Sequence, residues 1–143
     1  MTVKAILKTK GHSVHTIPPT ATLAEAAKVL TERRIGAVVV TDADGAVVGM
    51  LSERDIVRTL AARGADALHI PVEEAMTRRV VTCRETDTVG DLMERMTNGK
   101  FRHVPVVEND RLIGIVSIGD VVKYRLNEIE AESNALREYI LSA

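Results

Sequence analysis

The sequence predicts an α+β protein in which two β-α-β-β-α repeats, related by a pseudo-twofold axis, pack through their sheets and carry an extended C-terminal helix. Three observations support this. The 143-residue chain is written twice, its turn and capping residues recur in both copies, and its apolar residues alternate between strand and helix periodicity. Thr16, Thr22, Leu30 and Ile35 recur as Thr82, Thr88, Met96 and Phe101, a shift of 66 positions. Beyond the central turn the shift falls to 65, and Gly49, Ser52 and Asp55 recur as Gly114, Ser117 and Asp120. One residue is lost between Asp42-Ala43-Asp44-Gly45 and Glu108-Asn109-Asp110, where a hairpin loop tolerates deletion.

The first copy, residues 14–64, opens with a strand at Val14–Ile17 that Pro18-Pro19 ends, since proline cannot continue a ladder. Thr22 and Glu25 have capping-box spacing, and Leu23, Ala26, Ala27 and Leu30 form one apolar helix face. The β-branched run Val38–Val40 suits a buried strand, Asp44-Gly45 a hairpin turn, and Val47–Leu51 the return strand. Ser52 caps a second helix that Gly64 ends. The second copy, residues 80–126, repeats this with a strand at Val80–Cys83, a helix from Thr88, strands at Val104–Val107 and Leu112–Val116, and a helix from Ser117. Residues 65–79 connect the copies, with one helical turn expected near Pro71–Met76. Residues 1–13 are an N-terminal segment assigned no element. The last helix runs on through 127–143, with Val122, Leu126, Ile129, Leu136 and Ile140 on one stripe. Such a stripe packs against its own domain or, in a homodimer, against a second copy.

Composition narrows the function classes. Nineteen basic and 20 acidic residues nearly cancel, which argues against a generic nucleic-acid binder. Only 2% of residues are aromatic, so a platform that stacks bases on rings is not expected. The single Cys83 excludes an internal disulfide and fits a reducing, cytoplasmic setting, where it reads as a buried inert thiol. No apolar run approaches a membrane span or a signal segment. The usual catalytic and metal motifs are missing: Gly99-Lys100 lacks a glycine-rich lead-in, and His12, His15, His69 and His103 are scattered. No catalytic or metal-binding residue is assigned.

What remains is the repeated Gly-h-h-Ser-x-x-Asp, at Gly49–Asp55 and again at Gly114–Asp120. Ser-x-x-Asp is itself a helix-start pattern, so its spacing alone says little. Its position says more. A strand runs almost directly into a helix there, so unpaired amides and the positive end of the helix dipole meet at the strand's edge, a setting that binds phosphate. A carboxylate one turn on could accept a ribose diol, and Arg54, Arg58, Arg102 and His103 could supply flanking charge.

These residues resemble the CBS domain, a small regulatory module that occurs in tandem pairs, and the stand-alone CBS-pair proteins of bacteria in particular. The resemblance rests on Ile35–Val40, Gly49–Asp55, Glu74–Thr77, Phe101–Val107 and Gly114–Asp120. It implies clefts between the repeats for AMP or another adenosyl ligand (ATP, NAD(H) or S-adenosylmethionine), and no catalytic cofactor. It also implies roles: Asp55 and Asp120 hold ribose hydroxyls, Ser52 and Ser117 touch the ribose-phosphate end, and Arg54, Arg102 and His103 hold phosphate. Thr16, Thr82 and more weakly Lys10 would lie near the base, and Ile35, Ala37, Val104 and Pro105 line the clefts. With so few aromatics, adenine is expected in an aliphatic slot among residues such as Ile35, Val38, Val104 and Ile115. The function implied is a non-catalytic sensor that signals a bound adenine nucleotide to a regulated protein. The alternative is an interaction module whose Ser-x-x-Asp boxes only cap helices.

Overall fold

The N-terminal segment, for which no element is expected, is a helix. In the computed structural model, which describes residues 1–142, the chain opens with α1 (Val3–Lys10), which buries Val3, Ile6 and Leu7. Those three fall at helical spacing, but one apolar turn amid three lysines is too short a pattern to stand out.

From there the first repeat runs β1 (Thr16–Ile17), α2 (Leu23–Arg33), β2 (Ala37–Thr41), β3 (Val47–Ser52) and α3 (Glu53–Arg63). Thr22 closes its capping box with Glu25. Two short 3₁₀ turns, Gly64–His69 and Val72–Glu74, carry the chain across. The second repeat follows as α4 (Val89–Gly99), β4 (His103–Glu108), β5 (Arg111–Ser117) and α5 (Ile118–Ser142). Strands β1, β2 and β3 form one sheet, with β1 parallel to β2 and β3 antiparallel; β4 and β5 form the other. The lost hairpin residue is visible. Asn109 and Asp110, both at positive φ, make a two-residue turn, whereas Asp42 Oδ1 bonds the amides of Asp44 and Ala46 in the longer loop.

Both expected first strands are shorter than predicted. Val14–Ile17 reduces to Thr16–Ile17. Val80–Cys83 reduces to one residue, Cys83, which exchanges two backbone bonds with Pro105 and Val107. Upstream of it the chain turns away, with the Val80 amide bonded to the Arg78 carbonyl.

Each repeat closes its core with a segment from outside itself. The first core gathers Leu23, Leu30, Val38, Val40 and Leu51 and is completed by Ala67, Ile70, Val72 and Met76 of the connector. The second gathers Leu92, Met96, Val104, Val106 and Val116 and is completed by Val3, Ile6 and Leu7 of α1. The backbone bonding is the same at both places. Leu23 N–H donates to Ile70 and Val72 N–H to Ala21; equivalently, Val89 N–H donates to Met1 and Val3 N–H to Asp87. The closest packing also recurs: a Cβ on Gly49 would overlap Met76, and one on Gly114 would lie 2.8 Å from Leu7 Cδ2.

Val38 and Val40 face the first core, so the alternate residues Ala37 and Val39 face the other way. Both are buried yet belong to neither core. His103 and Pro105 hold the matching positions on β4, and a Cβ on Gly36 would lie 3.8 Å from His103 Cε1. The repeats meet across these faces. Helix α5 leaves that body early: Val121 is its one buried residue among those described, and Val122, Leu126, Ile129, Leu136 and Ile140 are exposed. No helix among the described residues is long and apolar enough to cross a membrane.

Candidate functional site

Strand β3 runs into α3 without a loop, so Ser52 is both the strand's last residue and the helix cap. Its Oγ accepts from the Asp55 amide at 3.3 Å, while Asp55 Oδ2 accepts from the Ser52 amide at 3.0 Å and from its hydroxyl at 3.1 Å. Arg58 donates to the other oxygen, Oδ1, at 2.8 Å. Asp55 is the one buried charged residue among those described, and its bonds are what makes that burial tolerable.

The second box has the same frame. Ser117 N–H donates to Asp120 Oδ2 at 2.9 Å, and Asp120 N–H donates to Ser117 Oγ at 3.1 Å. Here a cation from the other end of the chain completes it: Lys10 Nζ lies 2.6 Å from Asp120 Oδ2 and 2.7 Å from the Ile115 carbonyl. Burial pushes the Asp120 carboxyl up, but the bonds from Lys10 and Ser117 and the Lys10 charge outweigh it and hold the group below its usual range. His103 stands beside this pair. Burial lowers its pKa, the Lys10 and Arg102 charges lower it further, and Asp120 and Glu53 oppose them.

A cleft of about 900 Å³ opens beside Ser52 and is lined from both repeats. It holds Ala37, Ser52, Arg54 and Asp55 from the first, with Arg102 and His103 from the second. Six of the expected residues therefore meet here, while Lys10, Ser117 and Asp120 meet at the second box. His103 touches both, lining the first cleft while its charge state responds to Lys10 and Asp120.

Other expected residues lie elsewhere. Ile35 packs against the first core and Val104 is fully buried in the second. Pro105 is buried between the sheets, and Thr16 and Thr82 are exposed outside the cleft's lining. The aliphatic slot is corrected accordingly: Val38 and Val104 point into separate interiors, and the apolar lining is Ala37, Met50, Val80, Val81 and Phe101. One of the chain's three aromatic rings is thus at the cleft after all. Arg79 and Lys100 also line it, and neither was anticipated. Lys100 had a signal, since it stands 66 positions after Arg34, another cation ending the same helix. Arg79 had none, because its place follows from the exchanged connector. Cys83 is buried, and burial and the Asp87 charge push its thiol up to about 12, which suits an inert role. Among the described residues no cluster of three potential ligands could hold a metal ion.

The sequence model of the CBS domain matches residues 3–62 and 72–127. The chain belongs to the CBS-domain family. This CBS pair superposes on a CBS-domain containing protein from Agrobacterium tumefaciens with a TM-score of 0.84 and 54% identity, over 87% of this chain and 92% of that one. The CBS domain pair of protein MJ0100, solved with 5′-methylthioadenosine and S-adenosylmethionine, gives 0.80 and 29% over 90% and 98%. A CBS domain protein from Pyrobaculum aerophilum, complexed with AMP, gives 0.75 and 33% over 84% and 89%. Several curated relatives from Arabidopsis thaliana are far longer, and the match spans 19% of their length.

Proposed function

We propose that this CBS pair is a non-catalytic, cytoplasmic regulatory module that binds an adenine nucleotide of the AMP, ATP or NAD(H) class, or S-adenosylmethionine, between its repeats. A bound nucleotide favours one arrangement of the repeats, and a regulated partner reads the shift. The observation that carries this reading is the cleft at Ser52, where a helix start, a serine hydroxyl and basic residues of both repeats converge. The AMP and S-adenosylmethionine complexes of its relatives support the ligand class. In this reading Ser52 and Ser117 meet the ribose-phosphate end, Arg54, Arg102 and His103 meet phosphate, and the two aspartates meet ribose. Asp120 is the readier acceptor, since Lys10 and Ser117 engage only its Oδ2.

The completed capping boxes are also what an interaction module without nucleotide dependence requires, so ligand binding decides between the two readings. A thermal-shift screen with AMP, ATP, NAD(H), S-adenosylmethionine and GTP should raise the melting temperature for at least one adenosyl compound. At 100 times its dissociation constant a ligand adds about 2.7 kcal/mol. No binding below millimolar concentration sinks the nucleotide reading, and binding unchanged in the Asp55→Ala, Asp120→Ala double variant sinks its site assignment.

The same proposal includes a homodimer through α5. Val122, Leu126, Ile129, Leu136 and Ile140 are exposed on one stripe with alternating four- and three-residue steps interrupted at Ser133, the seam of a paired coil. Sedimentation should give a dimer that Leu126→Lys with Leu136→Lys converts to monomer; a monomeric wild type removes this part.

A further inference from the structure

The Ser52 cleft is far more basic than the protein that contains it. Arg54, Arg58, Arg79, Lys100 and Arg102 face two carboxylates, Glu53 and Asp55, in a chain of net charge −1. Arg58 pairs with Asp55. Among the described residues none of the other four cations forms an ion pair. Unpaired like charges held around one cavity repel one another, and a multiply charged anion relieves them. A phosphomonoester brings only about 1.5–2 negative charges at pH 7, too few to balance what remains. A run of phosphates brings enough.

A second observation is independent of charge. Lys100 ends α4 at φ 56, in the left-handed region, where glycine sits with least strain. A long cation there carries strain that glycine would not, as Arg34 does at the end of α2, but of the two only Lys100 lines the cleft.

The geometry points to a polyphosphate site: the first cleft selects adenosine triphosphate over the monophosphate, and Arg79 and Lys100 are the specificity-determining residues that meet the added phosphates. This rests on the adenine-nucleotide reading above and goes beyond it by fixing the phosphate count. The cavity, about 900 Å³, is at the roomy end of the range for small-molecule sites.

Calorimetric titration of the full chain with AMP, ADP, ATP and inorganic tripolyphosphate tests the proposal, repeated on Asp120→Ala to remove any signal from the second box. Affinity should rise about tenfold or more from AMP to ATP, the gain of one charge-assisted contact, and tripolyphosphate should displace ATP. Lys100→Gly should raise the melting temperature by roughly 2–4 °C while bringing ATP close to AMP in affinity. Arg79→Gln should reduce the same ratio with no thermal gain. Equal affinities for AMP and ATP, or a Lys100→Gly variant that keeps the wild-type ratio, overturn the polyphosphate site and leave the adenine-nucleotide reading standing. Tripolyphosphate binding without any adenine nucleotide binding overturns the adenine-nucleotide reading and the selection of ATP with it, and no binding of either kind removes both.

Discussion

The Asp55 side chain is 6% exposed and meets only groups of its own repeat, whereas Asp120, at the same repeat position, is 23% exposed and held by Lys10 from the far end of the chain. The two Ser-x-x-Asp boxes share their backbone hydrogen bonds, and the Ser52 hydroxyl adds one to its acid. Duplication has therefore preserved the helix start and changed the charge around it. At the first box the local Arg58 engages the acid and leaves a ring of unpaired cations; at the second, α1 delivers a lysine directly to the carboxylate. Two boxes with one backbone design are in this way set in different charge environments.

The strongest way to break the comparison is to loosen the element that delivers Lys10. Leu7 is fully buried against Gly114, so Leu7→Ala should cost about 2–5 kcal/mol in urea denaturation. A loss under 1 kcal/mol would mean that α1 is not part of the second core. Next come the carboxylates themselves. Asp55→Ala removes a cap and strands Arg58, and should cost about 2 kcal/mol; the more exposed Asp120→Ala should cost about 1 kcal/mol. Equal losses would erase the distinction between a buried and a half-open box.

Acid should sharpen it. His103 has a folded pKa below its ordinary 6.5, so the folded state disfavours its protonation. The stability it allows is complete above that value and declines as pH falls from 6.5 toward the folded pKa. Thermal melts between pH 7.5 and 5.5 should show a decline that His103→Gln reduces; parallel curves would place His103 away from the Lys10 charge. Below that range Asp120, whose pKa is lowered, adds a second loss as pH falls through its folded pKa. The smallest effect is expected at Arg34, which ends α2 at φ 55 as Lys100 ends α4. Arg34→Gly should stabilise by roughly 0.5–1 kcal/mol and leave ATP binding at the Ser52 cleft unchanged.

Much of this arrangement was legible in the residues. Capping boxes, hairpin turns and the β-branched run of Val38–Val40 are local signals, and each names its own element. The Ser-x-x-Asp boxes could be placed at strand-to-helix junctions for the same reason. What could not be read is where distant segments return. Nothing in Val3–Lys10 announces that it serves the second repeat, or that Lys10 reaches Asp120, because contacts 110 positions apart leave no local periodicity. Arg79 was missed for that reason, and Val104 was misplaced because strand alternation names two faces without saying which one the ligand sees. A chain-wide count of aromatics hides Phe101, although one ring at the right place is enough to line a cleft.

The exchange of closing segments also bears on how the chain acquires its structure. Helix α1 comes before the elements it packs against, β4, β5 and the start of α5, so it is made well ahead of them. Until then Val3, Ile6 and Leu7 have no core to enter, whereas the first repeat can close once the connector has followed it. Joining residue 3 to residue 121 closes a loop nearly as long as the chain, a non-local contact that slows folding. The first repeat should therefore order early and the second late, with α1 docking as the final event.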